Sequence, residues 1–228
     1  MTAKNVNKRL VLGCGALVHD LVELIKQNPA VDEVVDLQCL PAKLHNTPQL
    51  IANEVDKVLA KRAHNYSDVY VAYADCGTVG ALDAVLEKYN AQRIEGAHCY
   101  EFFAGTKEYQ EIVEQELGSF FLTDYLVRNF ERLVVKGLGL DRFPELFDDY
   151  FKHYKKMVYL AQTENPALQE LAQQHSDTFG LTYEYRFVGI QGLAPVVESI
   201  FKLSLIHISE PTRPLYISYA VFCLKKKK

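Results

Sequence analysis

The run DVYVAYADCG, Asp68 to Gly77, is apolar at every position from Val69 to Ala74. A strand with no polar face belongs where both faces are covered, the environment of a central strand in a parallel sheet flanked by helices. The rest of the chain must supply those helices, and its pattern does so by alternation.

RLVLGCG (Arg9 to Gly15) is a compact apolar run ending in glycine, followed by a helical pattern through Leu17, Leu21, Leu24 and Ile25. DEVVDLQCLP reads as a second strand. NTPQLIANEVDKVLAKRA is the clearest helix, with Thr47 as cap, Pro48 at the first helical position and Ile51, Val55, Val58 and Leu59 as its buried stripe. AQRIEG, SFFLTD, MVYLAQT and YEYRFVG read as further strands, with helices expected over Phe103–Leu117, Tyr125–Val135, Pro144–Tyr154 and Pro166–Phe179 and a last pattern from Pro195. The expectation is a single three-layer α/β domain, Rossmann-like, with a mostly parallel sheet and right-handed crossovers. Gly137 to Asp141 is the best candidate for a pause between its two halves.

The end of the chain does not fit this pattern. Leu203 to Arg213 resembles the translated inner end of a sequencing adapter and Ile217 to Leu224 its outer end, with three index-like residues between and four closing lysines. The alternative, a basic tail for membranes or nucleic acid, requires neither half of that match. We therefore expect a natural domain over 1–202, C-terminally truncated, and a non-native, unstructured tail over 203–228. The whole chain carries 25 Lys and Arg against 29 Asp and Glu; the tail holds five of the former and one of the latter, leaving 20 against 28. An acidic domain is a poor partner for nucleic acid. No apolar run nears the ~18 residues of a membrane helix, so a cytoplasmic, reducing setting is expected, in which cysteines serve as ligands, reactive thiols or core rather than disulfides.

Placed on this map, the cysteines and histidines converge. Cys14 ends the first strand, His45 follows the second, Cys76 follows the third, and His98 with Cys99 follows the fourth. Ligand crevices in open α/β sheets lie beyond the carboxyl ends of the strands. Cys14, Cys76 and Cys99 are thus expected to hold a zinc or iron ion, with His45 or His98 completing its shell. A reactive-thiol or ligand pocket without metal, and plain core packing, are the other two readings. Cys39 lies inside its strand and is expected in the core. Asp75, Glu101 and Asp124 are the candidate catalytic acids and bases, each also a plausible cap. Gly15, Gly77 and Thr78 are the positions where backbone could approach a bound group. GCGALV lacks the third glycine of the dinucleotide fingerprint, so no nucleotide site is expected. His64, His153 and His175 are expected at the surface.

GCGAL, KLHNTPQLI, YADCGTVGALD, GAHCYEFFAG and GSFFLTDYLV together resemble, in order, the domain-of-unknown-function family number 1638 over Arg9 to about Phe201. The resemblance implies an association with corrinoid-dependent methyltransferases and one-carbon metabolism. The chain lacks the DxHxxG pattern of corrinoid carriers. Two functions follow as expectations: a metal-site enzyme acting on a small-molecule substrate, with a corrinoid methyltransferase as partner, or a non-catalytic accessory protein of such a system.

Overall fold

A computed structural model describes residues 5–195 and 197–200; the adapter-like segment 203–228 lies outside the described residues. The order is β1 (Asn5–Cys14), α1 (Val18–Lys26), α2 (Pro29–Asp32), β2 (Val35–Leu40), α3 (Ile51–Arg62), β3 (Tyr66–Ala72), α4 (Ala81–Glu87) and β4 (Gln92–Arg93). It continues with α5 (Tyr100–Ala104), α6 (Thr106–Gln115), β5 (Ser119–Leu122), α7 (Asp124–Arg128), α8 (Leu146–Phe151), β6 (Lys156–Ala161), α9 (Pro166–Phe179) and β7 (Thr182–Phe187). Residues 194–195 and 197–200 are helical as well.

The α/β class and the parallel strands are those the alternation predicts. The strands are shared between two sheets, ordered β2-β1-β3-β4 and β5-β6-β7, each parallel throughout. The break falls between β4 and β5, not at Gly137–Asp141. The interior strands are the most buried: Arg9 to Cys14 in β1, Val69 to Ala72 in β3 and Met157 to Ala161 in β6. The order β2-β1-β3 matters most for function. The chain leaves β1 toward one side and reaches β3 on the other, so the carboxyl ends of β1 and β3 flank a topological switch point, where crevices open.

Local signals set most element ends. Asn165 accepts from the amides of Ala167 and Leu168 at 3.1 and 3.3 Å, Pro166 opens α9, and Gly180 closes it at φ +66°; such a cap stabilises by about 1 kcal/mol. The expected cap at Thr47 does not form: Pro48–Leu50 make a 3₁₀ turn and the α-helix starts at Ile51. Gly105, at φ +80°, breaks the expected 103–117 helix into α5 and α6.

The second sheet is packed by aromatic edges, among them Phe120 against Tyr154 and Phe151 against Phe179. His175, expected at the surface, instead stacks on Phe130 with centroids 4.2 Å apart, and its Nε2 meets the Val127 carbonyl at 3.2 Å. Burial lowers its pKa. The two halves are tied by Asn46 Nδ2 to the Leu133 carbonyl, 2.8 Å, and Leu133 itself belongs to the core of the first sheet.

Candidate metal centre

Each sulfur and nitrogen of the site is placed by the strand or turn that carries it. At the end of β1, the Gly15 amide donates to the Leu40 carbonyl at 2.8 Å, and a Cβ on Gly15 would stand 3.0 Å from that oxygen. This close approach leaves Cys14 buried at the mouth of the sheet. Beyond β2, the turn Ala42–Asn46 buries Ala42 and Leu44 and keeps His45 on an exposed edge. From there the His45 Nδ1 lies 3.5 Å from Cys14 Sγ.

The loop after β3 is conformationally unusual. Cys76 and Val79 adopt positive φ, 48° and 52°, in company with Gly77 at 83° and Gly80 at 79°. A non-glycine residue there is strained by about 1–3 kcal/mol, and such strain tends to cluster at functional sites. The Asp75 carboxylate holds the loop, accepting from Thr78 Oγ1 at 2.9 Å, Val79 N at 3.1 Å and Gly80 N at 3.0 Å. Those bonds, led by that from Gly80, lower its pKa. A second loop is laced to this one through Asp75 N to Gly96 O and Cys76 N to Ala97 O. The lacing brings Cys76 Sγ within 3.2 Å of Cys99 Sγ, at the start of α5, with both thiols free and buried.

One ligand atom each from His45, Cys76 and Cys99 falls within 4.8 Å of the others. A hydrogen bond from Cys99 lowers Cys76 to about 5, against the cost of burial and with help from His45. Cys99 is pushed well up by that same partnership and by burial. For His45, burial of the ring disfavours the cation, but bonds to Cys14 and Cys76 outweigh it and raise its pKa to about 11; the exposed edge of the residue makes that burial incomplete. The protein alone thus favours a Cys76 thiolate, accepting from Cys99, beside a His45 imidazolium.

Of the sequence-predicted ligands, His45, Cys76 and Cys99 come together. Cys14 stands outside that trio and touches His45 instead, in the position of a partner that orients a ligand. His98 is exposed on the cavity wall, also outside the trio. The predicted acids and bases have other work. Asp75 is occupied by its own loop, and Glu101 accepts from the Ala97 amide at 3.3 Å. Asp124 is buried at the edge of the second sheet, accepting from Tyr159 Oη at 2.7 Å, Gln162 N at 3.0 Å and Thr163 Oγ1. Gly77 lines the cavity, Gly15 packs against the Leu40 carbonyl, and Thr78 is buried on Asp75. Cys39 is half-buried in β2, where burial pushes its thiol up to about 11.

Sequence reading missed Tyr73 and Asn46. The Tyr73 ring stacks on His45 with centroids 6.2 Å apart, and its buried hydroxyl has no hydrogen-bond partner of normal geometry among the described residues. Burial and then the neighbouring Cys14 push its pKa up. The available signal was a second tyrosine, after Tyr70, in the apolar run Val69 to Ala74, since a buried phenol needs a partner. Asn46 sits beside His45 in the chain, but its bond to Leu133 could not be foreseen from spacing.

The trio opens on a cavity of about 640 Å³ between the two sheets, walled also by Tyr100, Phe103, Phe121 and Leu126. No helix among the described residues is long and apolar enough to cross a membrane.

Searches of curated proteins and of solved structures returned no match to the chain. The family profile described as "Protein of unknown function (DUF1638)" matches residues 39–197, a span that holds His45, Cys76 and Cys99 and begins after Cys14. With well over half of its length matched, the chain belongs to the DUF1638 family.

Proposed function

We propose that the chain is a metal-site protein in which His45, Cys76 and Cys99 hold zinc or iron at the β1/β3 switch point. The observation that carries this reading is the convergence of three donor atoms within 4.8 Å from separate segments of the chain. The donor chemistry suits the ion: two thiols and an imidazole are soft to borderline ligands. Three protein ligands beside a cavity match the pattern of catalytic sites, which keep one coordination position open. A bound ion there would act as a Lewis acid or lower the pKa of a thiol or water.

The protein's own groups prepare that site. With Nδ1 turned to Cys14, a bound ion would take the place of the Cys76 proton bond at the His45 ring, and the Cys14 contact fixes the ring. Cys76 is already favoured as thiolate, so only the Cys99 and His45 protons need leave on loading. We assign the chain to the cytoplasm, where four described cysteines would stay reduced. For reaction class we favour methyl transfer to a soft nucleophile, with a corrinoid methyltransferase as partner, as the family resemblance implies.

One observation favours the second reading, a non-catalytic accessory protein that binds a metal or small ligand for such a system. Asp75 and Asp124 spend their carboxylates on several structural hydrogen bonds, and Glu101 turns one carboxylate oxygen to the Ala97 amide, so the candidate bases are largely committed to the fold.

Metal content per chain, measured on anaerobically prepared protein, tests the proposal. Near-stoichiometric zinc or iron, lost in Cys76→Ser and in Cys99→Ser, is expected. Folded wild-type protein that takes up no metal would overturn it.

A further inference from the structure

The cavity wall has a chemical bias beyond the cluster itself. Among the described residues, no Asp, Glu, Lys or Arg lines it, although such residues make up 24% of the chain. A carboxylate or phosphate entering would give up its water without meeting a Lys or Arg side chain, a loss of several kcal/mol. A cavity of about 640 Å³ is in the range that encloses small ligands.

Much of the remaining wall is aromatic. Phe121 stacks on Tyr100 with centroids 5.4 Å apart and lies 5.2 Å from Tyr109, a surface suited to a flat or branched hydrocarbon. At the rim stand Leu117, 84% exposed, and Tyr150, 46% exposed, two large side chains that the fold does not bury. The same cavity presents Cys76, Cys99 and His45, donors whose bound ion would prefer a sulfur head group.

We infer that the cavity binds a small thiol with an uncharged, apolar body, its sulfur toward the His45–Cys76–Cys99 cluster and its body against Phe121 and Tyr109. The inference rests on the metal-site reading and names the class of substrate or ligand for that site. It excludes nucleotides, sugar phosphates and acidic thiols from the cavity.

Cobalt(II) loaded onto the full chain in place of the native ion tests it. Cysteinate-to-cobalt charge-transfer bands report the metal site; their absence overturns the metal reading, independently of the cavity. With those bands present, the two probes are benzyl mercaptan and mercaptosuccinate. Benzyl mercaptan is expected to shift the ligand-field bands and to bind about tenfold or more tightly than mercaptosuccinate, about 1.4 kcal/mol. Leu117→Lys, at an exposed position that the fold tolerates, should shrink that preference while leaving the thiol-free spectrum unchanged. Equal affinities, a preference for mercaptosuccinate, or no response to either thiol would overturn the inference. If no cobalt binds, calorimetry of the two probes on the metal-free chain decides the cavity's selectivity, and failure of benzyl mercaptan to bind there also sinks it.

Discussion

Asn46 donates to the carbonyl of Leu133 across 2.8 Å, directly over Gly137. A Cβ at Gly137 would collide with that carbonyl and stand 2.5 Å from the Asn46 nitrogen. Leu133 belongs to a π-helical turn, Glu131–Val135, a distortion often found beside functional sites. The bond joins the turn that carries His45 to the second half of the chain. Gly137→Ala is therefore expected to destabilise by about 1–3 kcal/mol, and Asn46→Ala by about 1 kcal/mol. Their effects should not add, because both act on one contact; urea unfolding of the two single variants and the double variant measures this.

The cysteines should respond in three grades. Loss of Cys76 or Cys99 removes a donor, whereas Cys14 contacts His45 and the Ala16 amide outside the trio and Cys39 sits half-buried in β2. Cys14→Ser is expected to weaken zinc binding by about 10–100-fold, the usual effect of losing a partner that orients a ligand. Cys39→Ser should leave affinity unchanged. Competition with a coloured chelator gives both constants.

Asp20, on α1, is held unusually high, at about 7, by burial first and then by Asp124 and Glu23, with Arg128 opposing. The fold therefore favours its protonated form. Its stabilising contribution is complete below the unfolded value of 3.8 and fades as pH rises toward about 7. After allowance for solvent screening the loss is on the order of 1–3 kcal/mol. Asp20→Asn should flatten the stability profile between those pH values and be more stable than wild type at pH 8, as chemical denaturation across pH would show.

Tyr73 carries a buried hydroxyl that no described group satisfies. Removing it leaves the ring stack on His45 in place and relieves an unpaired polar atom. Tyr73→Phe in the metal-free protein is expected to match wild-type stability or exceed it by up to about 1 kcal/mol, read from thermal melts. A clear drop in stability would show that the phenol is bonded to a cysteine sulfur.

The periodicity of the sequence predicts the strands well because their apolar content follows from burial on one or both faces. Val69 to Ala74 could be placed in a sheet centre by composition alone, and α9 could be bounded by Asn165, Pro166 and Gly180. The approach of His45, Cys76 and Cys99 to one edge was also legible, since strand ends of a parallel sheet share one edge, whereas the expected place of Cys14 beside Cys76 and Cys99 was not met. The roles of Asp75 and Glu101 were not. Each carboxylate reaches a backbone amide of its own loop, and only the folded loop shows that those amides lie within reach.

The sequence by itself determined the α/β class, the strand order along the chain and the kinds of side chain at the sheet edge, because these depend on residue type and short-range period. Tertiary structure decided the rest. It divided the strands between two sheets, gave Cys76 its left-handed backbone, and set Cys99 3.2 Å from it while leaving Cys14 to His45. Those outcomes turn on distances of a few ångströms between segments far apart in the chain, which crossover helices and loop lacing set and local pattern does not encode.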